Sequence, residues 1–93
     1  MENLTQVADL FKLLSASRRL QLLVELAEKP QGVDALQDRC GATRTNVVKH
    51  LNACLKAGVV SRQRVGDSHV YRLAQPWIAD LIHEALALYA KNK

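Results

Sequence analysis

The 93-residue chain is poor in the residues that build loops and disulfide scaffolds: it has four glycines, two prolines and two cysteines. Two cysteines are too few for a disulfide framework, and so little glycine and proline argues against a disordered or fibrous chain. Its apolar runs are a few residues long, whereas a membrane-spanning helix needs about 20. The N-terminal residues lack the basic and apolar segments of a secretory signal. We therefore expect one soluble domain over residues 1–93, acting in the cytoplasm without a membrane partner.

Signatures of common enzyme classes are also missing from the sequence. There is no glycine-rich phosphate loop, no His-Glu-x-x-His motif and no Ser, His and Asp grouping typical of a hydrolase. We therefore predict that the protein is not an enzyme and that it uses no cofactor.

Acidic residues are scarce in the middle of the chain. Residues 39–72 hold seven Arg and Lys but one Asp, whereas residues 1–38 hold four basic and six acidic side chains. A basic block between nearly neutral flanks indicates a surface that binds a polyanion. The plainer alternative is a solvated charged face.

Apolar residues recur at helical spacing in five segments. The predicted helices are Leu4–Leu14, Arg18–Glu28, Val33–Cys40, Arg44 to about Lys56, and a last helix with Pro76 in its first turn and an apolar stripe from Ile78 to Tyr89. Ser15-Ala16-Ser17 supplies N-cap residues for the second helix, and Thr43 is the predicted N-cap of the fourth. Gly41 and Gly58 suit the left-handed conformation in which helices often end.

Two segments with strand composition flank Gly66-Asp67-Ser68. Val59–Val65 and His69–Leu73 are rich in β-branched residues or Tyr and predict a two-stranded hairpin. Its exposed positions carry Arg62, Arg64 and Arg72. The third and fourth helices, joined by a tight turn, form a helix-turn-helix. A basic hairpin directly after it predicts a mainly α winged helix-turn-helix fold with the element order ααααββα.

The first and last predicted helices are apolar on more than one face. A domain of this size needs only one face of each terminal helix for its own core. The surplus therefore predicts burial against a second copy, and we expect a symmetric homodimer through these two helices.

Three stretches of the chain resemble the ArsR/SmtB family of bacterial winged-helix repressors. The stretches are Leu14-Ser15-Ala16-Ser17-Arg18-Arg19-Leu20 before helix two, Thr43-Arg44-Thr45-Asn46-Val47-Val48-Lys49-His50-Leu51 in the recognition helix, and Lys56-Ala57-Gly58-Val59-Val60 after it. The resemblance runs over residues 7–90 and includes the wing, with one departure at Ala16-Ser17, where a proline is common. It implies a dimeric repressor that binds an inverted-repeat DNA operator.

The residues themselves also point to double-stranded DNA. The helix N-terminus at Thr43 offers free backbone N–H groups, and a hydroxyl, to a phosphate. The candidate specificity residues follow in the next turns: Arg44, Thr45, Asn46, Lys49 and His50. Arginine suits guanine and asparagine suits adenine in the major groove, whereas Lys49 is also suited to a phosphate. For each of these side chains the alternative is simple solvation.

The hairpin supplies a second set of candidate contacts. Arg62 and Arg64 are expected to reach the flanking backbone or the minor groove, and the part played by His69 is left open. A solvated hairpin is again the alternative.

The sequence offers little for a sensor. Metal-sensing relatives often carry Cys-x-Cys at the start of helix three, where this chain has Gly32-Val33-Asp34. We expect no metal, although Asp80, His83 and Glu84 leave open a site shared between the last helices of two subunits. Cys40 and Cys54 are expected to pack as small apolar side chains, with a redox role as the alternative.

Together these patterns predict a dimeric, sequence-specific DNA-binding regulator, most simply a repressor. It would read the major groove with the helix at 44–56 and the flanking backbone or minor groove with the wing at 59–73. The alternatives are a winged-helix module that binds protein rather than a specific DNA site, and a thiol- or metal-responsive repressor.

Overall fold

The helices and the hairpin follow one another in the predicted order. The structure, a computed structural model, describes residues 2–90. Its elements are α1 (Leu4–Leu14), α2 (Ser17–Glu28), α3 (Val33–Cys40), α4 (Arg44–Lys56), β1 (Val60–Val65), β2 (Ser68–Leu73) and α5 (Pro76–Ala90). The winged helix-turn-helix fold predicted from the sequence is therefore confirmed.

The junction between α1 and α2 differs from the prediction. Helix α2 begins at Ser17, one residue early, and its N-cap is Ala16, which has no side chain able to cap. Ser15 ends α1 instead, and its hydroxyl donates to the Lys12 carbonyl over 2.6 Å. The predicted serine cap of α2 is thus wrong. Only two residues separate α1 from α2, and Ser15 is the C-cap of α1.

Two arginines in the first turn of α2 join it to the ends of two other helices. Arg19 Nε donates to the carbonyl of Leu13 in α1 over 2.7 Å, and Arg18 Nη1 donates to the carbonyl of Cys40 in α3 over 2.6 Å. The last carbonyls of a helix lack intrahelical partners and carry partial negative charge, so cationic donors stabilise them. These bonds fix α1 and α3 relative to α2.

The hydrophobic core is built by α2 to α5 together with the base of the hairpin. The largest fully buried side chains are Leu22, Leu23, Leu36, Leu51, Ile78, Val47 and Cys54. Three of them belong to α4, so one face of that helix is fixed in the core and the opposite face is left outside. Both cysteines are buried, as predicted.

The terminal helices contribute much less to this core than their apolar content would allow. In α1, which is described along its whole length, no residue is buried, and Phe11 is 56% exposed. In α5 the predicted apolar stripe reaches the core only through its first half: Ile78 and Ile82 are buried, whereas Leu86 and Tyr89 are exposed. Residues 83–90, the second half of α5, are all exposed.

The hairpin is antiparallel, with Val60 opposite Leu73 and Val65 opposite Ser68. Each strand starts one residue away from its prediction. Val59 stays outside β1 because its N–H donates to the Cys54 carbonyl at the end of α4 over 3.0 Å. One contact was not predicted: the backbone of Gln31, just before α3, pairs with Tyr71 of β2 through bonds of 3.0 and 2.8 Å. This bridge holds the start of α3 against the wing.

Candidate nucleic-acid interface

The N-terminus of α4 is capped and open to the outside. Thr43 has extended backbone angles, and its Oγ1 accepts a hydrogen bond from the N–H of Asn46 over 3.1 Å, which confirms the predicted N-cap. A hydroxyl that accepts in this way still has its own hydrogen to donate. Because Thr43, Arg44 and Thr45 are all exposed, this end of the helix can approach an anion.

One stripe of exposed side chains runs along the outer face of α4. Thr45, Lys49, Asn52 and Lys56 are exposed and follow one another at steps of three or four residues, which places them on one side of a helix. Thr45 and Lys49 are among the predicted site residues. Asn52 and Lys56 are not, although the helical spacing from Lys49 identifies both.

Two of the predicted site residues lie on the flank of α4 rather than on this stripe. Asn46 and His50 are half-buried, and Asn46 Oδ1 is enclosed with no hydrogen-bond partner among residues 2–90. Burial, followed by the positive charges of Arg19, Lys49 and Arg18, lowers the pKa of His50. The flank carrying His50 therefore faces the arginines of α2, and His50 is disposed to be neutral.

Arg44, the first residue of α4, is paired with an acidic side chain. Its Nη1 lies 2.8 Å from Asp34 Oδ1, in the first turn of α3. The side chains are 63% and 92% exposed, respectively. No local pattern predicts this contact, because the two residues belong to different helices.

A cleft of about 280 Å³ separates this ion pair from the wing. It lies between the first turn of α3, the start of α4 and the turn of the hairpin, and its lining includes Asp34, Arg44, Val48, Asp67 and His69. The start of α4 and the turn of the wing are therefore two sides of one cleft.

The strand register divides the wing arginines between two faces. Arg62 lies opposite Tyr71 and Arg64 lies opposite His69, and directly opposed residues share a face. Arg72 lies on the other face, where it donates to Gln63 Oε1 over 3.0 Å. All three arginines are exposed. Arg62 and Arg64 thus lie on the same face of the hairpin as His69, a residue that lines the cleft. Arg72 lies on the opposite face.

The cysteines and the acidic and histidine side chains form no metal cluster in the described chain. Among residues 2–90, no three His, Cys, Asp or Glu side chains come together as ligands. Burial raises the pKa of Cys54 to about 11. The pKa of Cys40 is raised by burial and then by Glu25, against the opposing effect of Arg18.

Among residues 2–90 there is no helix long and apolar enough to cross a membrane.

Known proteins resemble the chain in both sequence and structure, although no protein-family model matches it. It is 32% identical over 85 residues to the HTH-type transcriptional regulator Rv0081 of Mycobacterium tuberculosis, which covers 90% of this chain and 75% of that protein. It is 31% identical over 86 residues to the HTH-type transcriptional repressor SmtB of the same species, covering 92% and 64%. The homodimeric winged helix-turn-helix DNA-binding domain of Mb0332 from Mycobacterium bovis superposes with a TM-score of 0.88 at 29% identity, covering 99% and 89%.

Proposed function

Because the chain belongs to the ArsR/SmtB family of winged helix-turn-helix regulators, we propose that it is a homodimeric repressor of transcription that binds a specific DNA operator. The observation that carries the proposal is the outer stripe of α4, whose exposed side chains are polar or basic and include no acid. A B-DNA major groove, about 12 Å wide, admits a helix presented in this way.

The proposed contacts of α4 fall into two groups. Thr43 and the free N–H groups of the first turn bind a phosphate, which fixes the register of the helix. The proposed readers of base edges are Arg44, Thr45, Asn46, Lys49 and His50, and Asn52 joins them because it lies on the outer stripe. Asn46 and His50 contact DNA only where the groove wall reaches the flank of the helix. Lys56, at the far end of the stripe, binds the phosphate backbone.

The wing supplies the contacts outside the major groove. Arg62 and Arg64 share one face and are exposed, so both guanidinium groups can reach the backbone or the minor groove beside the site of α4. Arg64 Nε also donates to the Gly66 carbonyl over 3.0 Å, which keeps this side chain close to the turn of the wing. Phosphate contacts of this kind add affinity that does not depend on sequence.

The dimer is proposed to form through α1 and α5. The large apolar side chains exposed on these helices include Leu4, Val7, Phe11, Trp77, Leu86 and Tyr89. A two-fold axis through this surface presents two copies of α4 to one side of the DNA. Such proteins bind half-sites about 34 Å apart, one helical turn, which predicts an inverted repeat.

This role involves no enzyme chemistry, and the relatives described above are named as transcriptional regulators or repressors. We expect the protein to act in the cytoplasm, beside the DNA it regulates.

Selection from a pool of random DNA duplexes tests the proposed function. We expect the protein to enrich an inverted repeat whose half-sites are about 10 base pairs apart, centre to centre. A pool that stays random after several rounds would contradict operator binding and favour the alternative, a winged-helix module that binds protein.

A further inference from the structure

We propose that Asp34 is a positioning residue for Arg44, and that this pair sets the part of the sequence specificity of α4 that Arg44 supplies. Asp34 would act from α3 without touching a base, by holding the Arg44 guanidinium in an orientation that suits guanine. This inference rests on the proposed function, since it assigns a specificity role within the same DNA-reading surface.

The geometry of the pair is that of a direct, charge-assisted hydrogen bond. The distance of 2.8 Å between Arg44 Nη1 and Asp34 Oδ1 is within the short range of such bonds. Both side chains are mostly exposed, and exposed ion pairs add little to the free energy of unfolding. The pair is therefore better placed to orient a side chain at the surface than to stabilise the fold.

Both ends of the pair are anchored by the backbone. Asp34 lies in the first turn of α3, where the helix dipole favours a carboxylate. That turn is held against the wing by the Gln31–Tyr71 bridge, and it lies close to the wing at the N-cap Gly32, where an added Cβ would come within 3.3 Å of the His69 carbonyl oxygen. Arg44 directly follows Thr43, the N-cap residue of α4. The backbone positions of both residues are thus set by the fold, which keeps the carboxylate within reach of the Arg44 guanidinium.

A carboxylate on one edge of a guanidinium leaves other N–H donors available. Arginine has five of them in a planar fork, and two are enough for the bidentate contact with guanine O6 and N7. Without Asp34, the flexible Arg44 side chain would be free to turn to the nearest phosphate, a contact that carries no sequence information. Restricting the orientation of the Arg44 side chain before binding also reduces the conformational entropy that it loses when it contacts guanine.

Negative charge around the cleft also favours specific over sequence-independent binding. Asp34 and Asp67 line the cleft together with Arg44. Two carboxylates repel phosphates that approach in the wrong register, so they penalise sequence-independent binding.

The variant Asp34→Ala and its control Asp38→Ala test the proposal. Asp38 is exposed on the same helix, one turn further on, and does not line the cleft. Each variant removes one negative charge near DNA and no buried side chain. They differ in that Asp34→Ala also loses the contact with Arg44 and the favourable position at the start of α3, so thermal unfolding of both variants is compared to check that the fold is retained.

The measurement is the ratio of dissociation constants for a scrambled duplex and for the duplex enriched by the wild type, at fixed salt. We expect Asp34→Ala to lower this ratio about 5-fold or more and to bind the scrambled duplex more tightly. Asp38→Ala should change both affinities by one common factor. In an Arg44→Ala background, Asp34→Ala should cause no further loss of specificity, because the two residues act as a unit.

A second readout needs no DNA. In NMR spectra of the free protein, the Arg44 side-chain N–H signals should exchange with water more slowly in the wild type and in Asp38→Ala than in Asp34→Ala. If the two aspartate variants give the same specificity ratio, the effect is one of net charge and the proposal is wrong. A wild type that enriches no sequence overturns the proposed function itself, and this inference with it.

Discussion

The two cysteines show how burial determines the chemistry of a single side chain. The thiolate is the reactive form of cysteine, and burial raises the pKa of both thiols, that of Cys54 to about 11. At neutral pH both are therefore held as thiols, and they are packed among apolar neighbours. This environment suits a structural role and does not suit a redox sensor.

We predict that both thiols react slowly in the folded protein. With a disulfide reagent at pH 7.5, both thiols should react more slowly in the native protein than in guanidinium chloride, and Cys54 about 100-fold or more so, since a pKa of about 11 lowers its thiolate fraction by about that factor. Single variants Cys40→Ser and Cys54→Ser assign the two rates. If peroxide or zinc releases DNA from the wild type but not from one of these variants, that cysteine is a sensor and the packing interpretation fails.

His50 predicts a pH dependence of stability. Its pKa in the folded protein is lowered, first by burial, below the value of about 6.5 expected in the unfolded chain. Protonation therefore favours unfolding. The stability that depends on neutral His50 is fully present above pH 6.5 and is lost as the pH falls toward the lowered pKa.

The variant His50→Gln should remove this part of the pH dependence. Thermal unfolding at pH 7.5 and pH 5 should show a smaller drop in Tm for the variant than for the wild type. An NMR titration of the folded wild type should place the midpoint of His50 below 6.5. A midpoint at or above 6.5 would contradict the burial and the cationic surroundings of this side chain.

At the scale of the elements, local patterns predicted the helices and the hairpin because burial repeats regularly along each of them. The same periodicity places Thr45 and Lys49 on the outer face of α4 and would have found Asn52. It did not show that Asn46 and His50 lie on a half-buried flank, since this depends on how wide a face α2 and α3 cover. Contacts between distant segments, such as Asp34 with Arg44, have no local signal at all.

Helix α4 and the wing should respond differently to loss of an arginine. Arg44→Ala is expected to weaken binding to the selected duplex by roughly 1–3 kcal/mol and to relax base preference. Arg64→Ala should weaken binding to selected and scrambled duplexes alike, because a phosphate contact is independent of sequence. Fluorescence anisotropy titrations with both duplexes measure this difference. An equal loss of specificity in the two variants would contradict the division between helix and wing.

At the scale of the whole molecule, the exposed apolar faces of α1 and α5 predict a dimer. Sedimentation at micromolar concentration should give about twice the chain mass of 10.3 kDa. Phe11→Glu should shift the mass toward the monomer, because it places a charge on the proposed interface. Val65→Glu is the matched control: Val65 is 55% exposed, against 56% for Phe11, but lies on the wing. A wild-type mass near 10 kDa would contradict the dimer.

The charge of the whole chain supports binding to DNA but does not by itself produce specificity. The net charge is +4, and the basic side chains concentrate in the segment that holds α4 and the hairpin. Such a surface attracts any duplex, with an affinity that falls steeply with salt. Sequence-specific contacts add affinity for one DNA sequence. This added affinity persists when salt screens the general attraction.

Sequence-specific binding is therefore tested by one titration series: the wild-type protein against the selected duplex and a scrambled duplex of equal length, each at low and at physiological salt. For a sequence-specific regulator, both affinities fall with salt while the selected duplex stays about 1,000-fold or more tighter at physiological salt. If the two duplexes bind equally and binding is lost altogether as salt rises, the chain is a basic interaction module and does not read DNA sequence.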